Sequence, residues 1–230
     1  MKNYYNQAYF NKRDLLSLHV AESIVLFINS HSLKRVLDMG CGTGRLVKYF
    51  RDQGFTAYGC DKESVAIMCA RKINVPRSIR KASAIKLPFK KNSFDLVTSI
   101  HVIEHLSKPE MKKFLTETYR ILTPKGFIFL IAPNFGSLLR IIQGKSWFGY
   151  EDPTHIRFDT AQSIENLLRK HGFSKIQFQF PSSTTDSAEI EAIPFLVRLP
   201  KIFKICINYL LFSTPLTYFR NGFWVAAQKE

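Results

Sequence analysis

Three groups of residues in this 230-residue chain have the types and spacing to do chemistry. The first is Val36-Leu37-Asp38-Met39-Gly40-Cys41-Gly42-Thr43-Gly44-Arg45, an apolar run, an acid and three alternating glycines, followed by Leu46-Val47-Lys48-Tyr49-Phe50. It reads as strand, tight turn and helix, with glycines that let the backbone approach a ligand closely. Dinucleotide-binding turns space their glycines G-x-G-x-x-G. Here the third glycine comes one residue early and Arg45 stands in its place, which argues against NAD. Asp38 sets a carboxylate where a pyrophosphate would have to lie, and like charges that close repel. The expected ligand carries positive charge at that point.

The second group is Asp61, nineteen positions beyond Gly42 at the end of the next expected strand. Its carboxylate can accept both hydroxyls of a ribose, cap the following helix, or do both. The third is His101-Val102-Ile103-Glu104-His105, directly after the fourth expected strand. It fits the H-x-x-E-H pattern of inverted zinc proteases, but that pattern belongs on a helix in another fold, so a protease is rejected. Histidine titrates near neutrality, so His105, and second His101, are candidate general bases, with Glu104 grouped beside them. The competing reading is that either imidazole packs against the bound ligand or caps a helix. Asp152-Pro153-Thr154-His155-Ile156-Arg157-Phe158 adds His155, which either faces the acceptor or ties its loop down by a hydrogen bond.

S-adenosylmethionine meets the charge requirement, having a sulfonium, an ammonium and no phosphate. From about Val36 to Pro133, through Asp38, the glycine turn, Asp61 and Leu87-Pro88-Phe89-Lys90-Lys91-Asn92-Ser93-Phe94-Asp95, the chain resembles the class I S-adenosylmethionine-dependent methyltransferases. The His101–His105 loop resembles that of small-molecule O-methyltransferases, including those of ubiquinone biosynthesis. The resemblance implies S-adenosyl-L-methionine held by Asp38, Gly40, Cys41, Gly42, Gly44, Asp61, Lys62, Ser83, Ala84 and Ile100. In that family an acid commonly holds the adenine amino group where this chain has Ser83. The serine hydroxyl or the backbone at Ala84 would then bind the amino group with one charge-assisted bond fewer. Some members hold magnesium with an acid-x-x-Glu-His set. His101 replaces the first acid and Mg²⁺ prefers oxygen, so no metal is expected.

What the resemblance implies chemically is methyl transfer to an oxygen of a small-molecule, lipid-linked or saccharide acceptor. Such transfer is an in-line displacement, in which positioning supplies most of the rate and a base must still take the hydroxyl proton. A nucleic-acid methyltransferase is the rival enzyme, supported by charge. It lacks the Asn/Asp-Pro-Pro-aromatic signature after the fourth strand and any separate nucleic-acid module. A scaffold that keeps the cofactor fold without catalysis is the non-enzymatic rival, and the intact glycine turn argues against it.

These residues need a frame to hold them. Apolar periodicity predicts helices over Asp14–Ile28, Glu63–Arg71, Met111–Leu122 and Thr160–His171. Strands are expected at Lys34–Leu37, Phe55–Cys60, Ser78–Ala82, Phe94–Ile100, Gly126–Ala132, Ile176–Phe180 and Gly222–Gln228, with Thr123–Gly126 as a turn. Alternating strand and helix implies an α/β fold: a Rossmann-like seven-stranded, mostly parallel sheet with helices on both faces, forming one domain over 1–230. A substrate lid is expected over 134–159, where Trp147, Phe148 and Tyr150 either line an acceptor pocket or pack the lid. Tyr4, Tyr5 and Tyr9 are placed to close over the cofactor, as N-terminal segments do in the resembled family.

Residues 182–221 form a hydrophobic, basic insertion between the last two strands. Pro200 can start a helix there with Lys201, Lys204 and Asn208 on one face. It falls short of the ~20 apolar residues that span a bilayer. The expected roles are an interfacial helix on anionic lipid, a dimer interface or a cap on the core. A net charge of +15 implies an acidic partner surface, lipid or nucleic acid, or simply a solvated basic surface. The four cysteines form no C-x-x-C pair and the start of the chain is polar. These features point to a cytoplasmic protein, peripheral on the inner face of a membrane if the helix binds lipid.

Overall fold

The computed structural model describes residues 4–6, 8–9, 17–73, 78–178, 198–213 and 218–230. Its strands are β1 (Arg35–Met39), β2 (Thr56–Asp61), β3 (Ile79–Lys81), β4 (Phe94–Ile100), β5 (Leu122–Pro133), β6 (Phe173–Gln177) and β7 (Gly222–Lys229). They form one seven-stranded sheet in the order β3-β2-β1-β4-β5-β7-β6. Only β7 runs against its neighbours β5 and β6. Strand order reverses between β1 and β4, and in open parallel sheets ligands bind in the crevice beyond the carboxyl ends at such a point.

The described helices are α1 (Leu18–Ser30), α2 (Arg45–Asp52), α3 (Ser64–Lys72), α4 (Lys108–Ile121), α5 (Leu138–Gln143), α6 (Ala161–Lys170) and α7 (Lys201–Ser213). Successive strand residues bury opposite faces, as the period of two requires. Val36, Leu96 and Phe129 pack with Ile24 and Phe27 of α1 and Val47 and Phe50 of α2. Leu37, Val97 and Leu130 pack with Phe114 of α4 and Ile164 and Leu168 of α6. The expected alternation is therefore met by helices on both faces. Among the described residues no helix is long and apolar enough to cross a membrane.

Several boundaries differ from those read in the sequence, each for a local reason. Helix α4 starts at Lys108 rather than Met111, because Ser107 and Glu110 close a reciprocal capping box. The turn expected over Thr123–Gly126 lies inside β5: Phe94 pairs with Leu122 and Leu96 with Phe127. The extra residues form a bulge in which Lys125 takes a left-handed φ of 62°. Strand β6 begins at Phe173, not Ile176, since Gly172 (φ 85°) turns the chain directly onto β7. Phe180, Asp14 and residues 182–197 and 214–217 of the expected insertion lie outside the described residues. The helix expected from Pro200 is α7, whose Phe203 and Lys204 amides donate to the Pro200 carbonyl.

Candidate active site

At the carboxyl ends of β1 and β4 lies a cavity of about 480 Å³, within the size range of small-molecule sites. Its floor is the glycine turn. The amides of Gly40 and Cys41 both donate to the Cys60 carbonyl, at 2.8 and 3.0 Å, which seats the turn on the end of β2. Gly40 has φ 74°, and a Cβ there would lie 2.3 Å from Cγ2 of Val102. Only a glycine lets the turn pass under the loop that follows β4.

Two carboxylates border this floor. Asp61 accepts from the Gly42 amide through Oδ2 (2.9 Å) and from the Glu63 amide through Oδ1 (2.8 Å), so it joins the turn to the start of α3. Each oxygen keeps a lone pair for a further donor, as a pair of ribose hydroxyls would require. Asp38 is buried and accepts from the Thr98 hydroxyl at 2.8 Å. Burial pushes its carboxyl up to about 7; the Thr98 bond opposes this and the Asp61 charge adds to it. A buried, reluctant anion is stabilised by a cationic ligand, and no lysine or arginine is hydrogen-bonded to it among the described residues. Burial raises the Asp61 carboxyl too, against its two backbone bonds. These groups are of the kinds that S-adenosylmethionine would need, a buried carboxylate at Asp38 and a carboxylate with free lone pairs at Asp61. Burial holds the thiols of Cys41 and Cys60 protonated, so neither acts as a nucleophile.

The other end of the cavity is built by the turn after β4. His101 takes φ 53°, its amide donates to the Ile131 carbonyl, and its Nδ1 sits 3.1 Å from Oε1 of buried Glu104. His105 Nδ1 lies 3.2 Å from the Thr154 carbonyl and 3.0 Å from the Thr154 hydroxyl. That hydroxyl donates to Asp152 Oδ1 at 2.6 Å, so it can only accept from its other neighbours. The Tyr5 hydroxyl donates to it (2.9 Å), and the His105 ring must present Nδ1–H. The lone pair of the neutral ring is then on Nε2. Burial lowers the His105 pKa, against the pull of Glu104 and of the Thr154 carbonyl, so the ring stays in its free-base form.

Glu104 is the hub behind this wall. Its backbone carbonyl accepts from the amides of Ile156 and Arg157, tying the 134–159 segment to the turn. Burial disfavours its charge, but the hydrogen bond from His101, the positive potential of that imidazole and a backbone hydrogen bond outweigh burial and hold the carboxyl below its ordinary value. His155 places Nδ1 2.7 Å from the Gly149 carbonyl and Nε2 3.9 Å from Glu104 Oε1. Glu104, His105 and His155 each offer a ligand atom within 4.8 Å of the others, a mixed nitrogen and oxygen set able to hold a transition metal.

Of the residues singled out in the sequence, Asp38, Gly40, Cys41, Gly42, Asp61, Lys62, Ser83, Ala84, Ile100, His101 and His105 line the cavity. Gly44 does not; it caps α2 with φ 81°. Glu104 and His155 lie behind the wall. Trp147, Phe148 and Tyr150 also stay off the cavity: Trp147 is fully buried, donates from Nε1 to Asn221 Oδ1 (2.5 Å) and packs on the other two rings. Tyr5 and Tyr9 do reach the cavity, whereas Tyr4 packs against both. Thr154 and Asp152, which orient His105, went unread as site residues; the signal was the Asp-x-Thr turn ahead of His155.

Residues 11–177 match a family described as a methyltransferase domain. A malonyl-[acyl-carrier protein] O-methyltransferase of Salmonella typhimurium is 25% identical over 67% of this chain and 60% of its own length. A demethylmenaquinone methyltransferase of Lactiplantibacillus plantarum is 25% identical over 74% of this chain and 79% of its own. The chain spans about half to three-fifths of the length of the first curated relatives it matches. Among solved structures, an S-adenosylmethionine-dependent methyltransferase from Archaeoglobus fulgidus superposes with a TM-score of 0.66 at 20% identity, covering 98% of this chain and 100% of that one.

Proposed function

The chain belongs to the class I S-adenosylmethionine-dependent methyltransferases, and from that premise we propose that it methylates an oxygen of a small-molecule, lipid-linked or saccharide acceptor, with His105 as general base. The observation that carries this reading is the contact of His105 Nδ1 with the Thr154 carbonyl, which assigns the ring proton to Nδ1 and the lone pair to Nε2 on a residue that lines the cavity.

When bound, S-adenosylmethionine supplies an electrophilic methyl group on a sulfonium. Asp38 counters the donor's positive charge and Asp61 accepts its ribose hydroxyls. Ser83 and the Ala84 backbone face the adenine end. The acceptor hydroxyl attacks in line with the departing sulfur, and as the oxygen–carbon bond forms its proton passes to Nε2 of His105. His101 borders the same space as the second candidate. Glu104 and His155 act from behind, Glu104 as the anion that offsets the charge His105 gains when it takes the proton, and the step needs no metal.

The name of the Salmonella relative supports an oxygen acceptor, and that of the Lactiplantibacillus relative an apolar, quinone-like one. The test is formation of S-adenosylhomocysteine, followed by mass spectrometry, with phenolic, carboxylic and sugar hydroxyl acceptors. An oxygen-methylated product that His105→Gln no longer forms supports the reading. Methylation of nitrogen in polynucleotide alone contradicts it.

A further inference from the structure

We propose that the outer face of the 134–159 segment, together with α7, is a docking surface for an anionic lipid bilayer. Helix α5 turns Leu138, Ile141 and Ile142 outward at i, i+3 and i+4, with 54, 68 and 65% of their surface exposed, while Leu139 alone of the helix is buried. Ile156 and Phe158 of the same segment are exposed as well, and so are Ile202 and Phe203 at the start of α7. Single exposed aliphatic residues are ordinary; several on one short helix face mark a contact surface.

The charges identify the occupant. From Asn134 to Tyr150 the only charged side chains are Arg140 and Lys145, and from Arg198 to Ser213 they are Arg198, Lys201 and Lys204. Five cations and no acid flank the apolar residues of α5 and of the start of α7; nearer Ile156 and Phe158, Asp159 is paired with Arg157 and the exposed acid is Glu151. A second copy of the chain would bring the same cations against these, and a polynucleotide would leave the aliphatic face wet. An anionic bilayer satisfies both groups, with side chains of α5 and α7 among the acyl chains and cations at the headgroups. Neither helix is long enough to span. The stretch that follows α7 in the chain is tied to the 134–159 segment: Asn134 Nδ2 donates to the carbonyls of Tyr218 and Arg220, and Trp147 Nε1 to Asn221. The Glu104 carbonyl, which accepts from Ile156 and Arg157, links this surface to the catalytic turn. The surface deepens the lipid-linked branch of the proposed function, yet its test needs neither cofactor nor acceptor, so the two can fail separately.

The experiment is cosedimentation of the full chain with phosphatidylcholine vesicles, with and without phosphatidylglycerol. We expect binding to the anionic vesicles only, weakened by salt. Each cation at the headgroups contributes about fivefold, so Lys201→Gln with Lys204→Gln should lower the partition coefficient roughly 30-fold. Ile141→Ser with Ile142→Ser should lower it at least roughly tenfold. Both variants should retain the wild-type melting temperature and far-ultraviolet circular dichroism, which shows that they fold. No cosedimentation with anionic vesicles, or variants that bind as the wild type does, overturns the proposal. So does a concentration-dependent dimer that the Ile141/Ile142 pair dissolves, or retention on polynucleotide in place of vesicles.

Discussion

The carbonyl oxygen of Thr154 lies 3.2 Å from Nδ1 of His105. A carbonyl only accepts, and the Thr154 hydroxyl, committed to Asp152, accepts as well, so both contacts favour a proton on Nδ1 and a basic Nε2. The loop that carries Thr154 thus sets the chemistry of a turn 49 residues earlier in the chain.

Imidazole ¹⁵N spectra of the protein at neutral pH should therefore show His105 as the Nδ1–H tautomer. Loss of the base in His105→Gln should cost roughly 10²–10⁴ in kcat, the usual worth of general acid–base catalysis, with little change in cofactor affinity. An Nε2–H tautomer, or a His105→Gln enzyme with wild-type kcat, would remove His105 from the mechanism.

The pH profile follows from burial. Desolvation disfavours the His105 imidazolium and holds its pKa below the ordinary 6.5. The base is active unprotonated, so the acid limb of kcat/KM assigned to it should fall below pH 6.5. An acid limb displaced upward that disappears in His105→Gln would contradict this.

Asp38 gives a second dependence, of opposite consequence for binding and stability. Its carboxyl titrates at about 7 in the cofactor-free protein, against an ordinary 3.8. The ionised form attracts the donor, so affinity should weaken by up to about tenfold per pH unit below 7. For stability the sign reverses. Between pH 3.8 and 7 the folded state keeps a proton that the unfolded chain has lost, so stability falls as pH rises through that window. Asp38→Asn should stabilise the cofactor-free protein at pH 8 by on the order of 2–4 kcal/mol, seen as a higher melting temperature, with a gain that shrinks toward pH 4. The same variant should bind S-adenosylmethionine at least roughly tenfold more weakly. Thermal melts at the two pH values check the first part and calorimetry the second.

Gly40 tests the floor of the site. Gly40→Ala forces a side chain onto a left-handed φ, at about 1–2 kcal/mol, and onto Val102 Cγ2 at 2.3 Å. We expect a lower melting temperature and loss of cofactor binding. Val102→Ala in the same chain should restore part of the stability by clearing the methyl. A Gly40→Ala protein that melts and binds as the wild type does would show that the close packing is unnecessary.

The glycine-turn half of the cavity, proposed to hold the cofactor, was legible because local sequence builds it. Asp38, the glycine turn and Asp61 are fixed by two strand ends and one tight turn, and nine of the ten residues read for this half line the cavity. Gly44 stands off the cavity lining and caps α2; a glycine's type does not distinguish touching a ligand from capping a helix. The acceptor half depends on tertiary contacts. Nothing in His101–His105 indicates that Thr154 will orient His105, or that Glu104 will turn behind the wall, since both depend on where the 134–159 segment folds back. Trp147 was ambiguous for the same reason; its bond to Asn221 joins segments 74 residues apart. The sheet itself was legible from alternating strands and helices. Its shifted boundaries came from the capping box at Ser107, the bulge at Lys125 and the turn at Gly172.

The measurement that tests the central claim most directly is titration calorimetry of the purified chain with S-adenosylmethionine, S-adenosylhomocysteine and NADH. The early glycine turn beside a buried Asp38 predicts heat from the first two and none from NADH. Heat from NADH with none from either sulfur ligand would contradict the whole account.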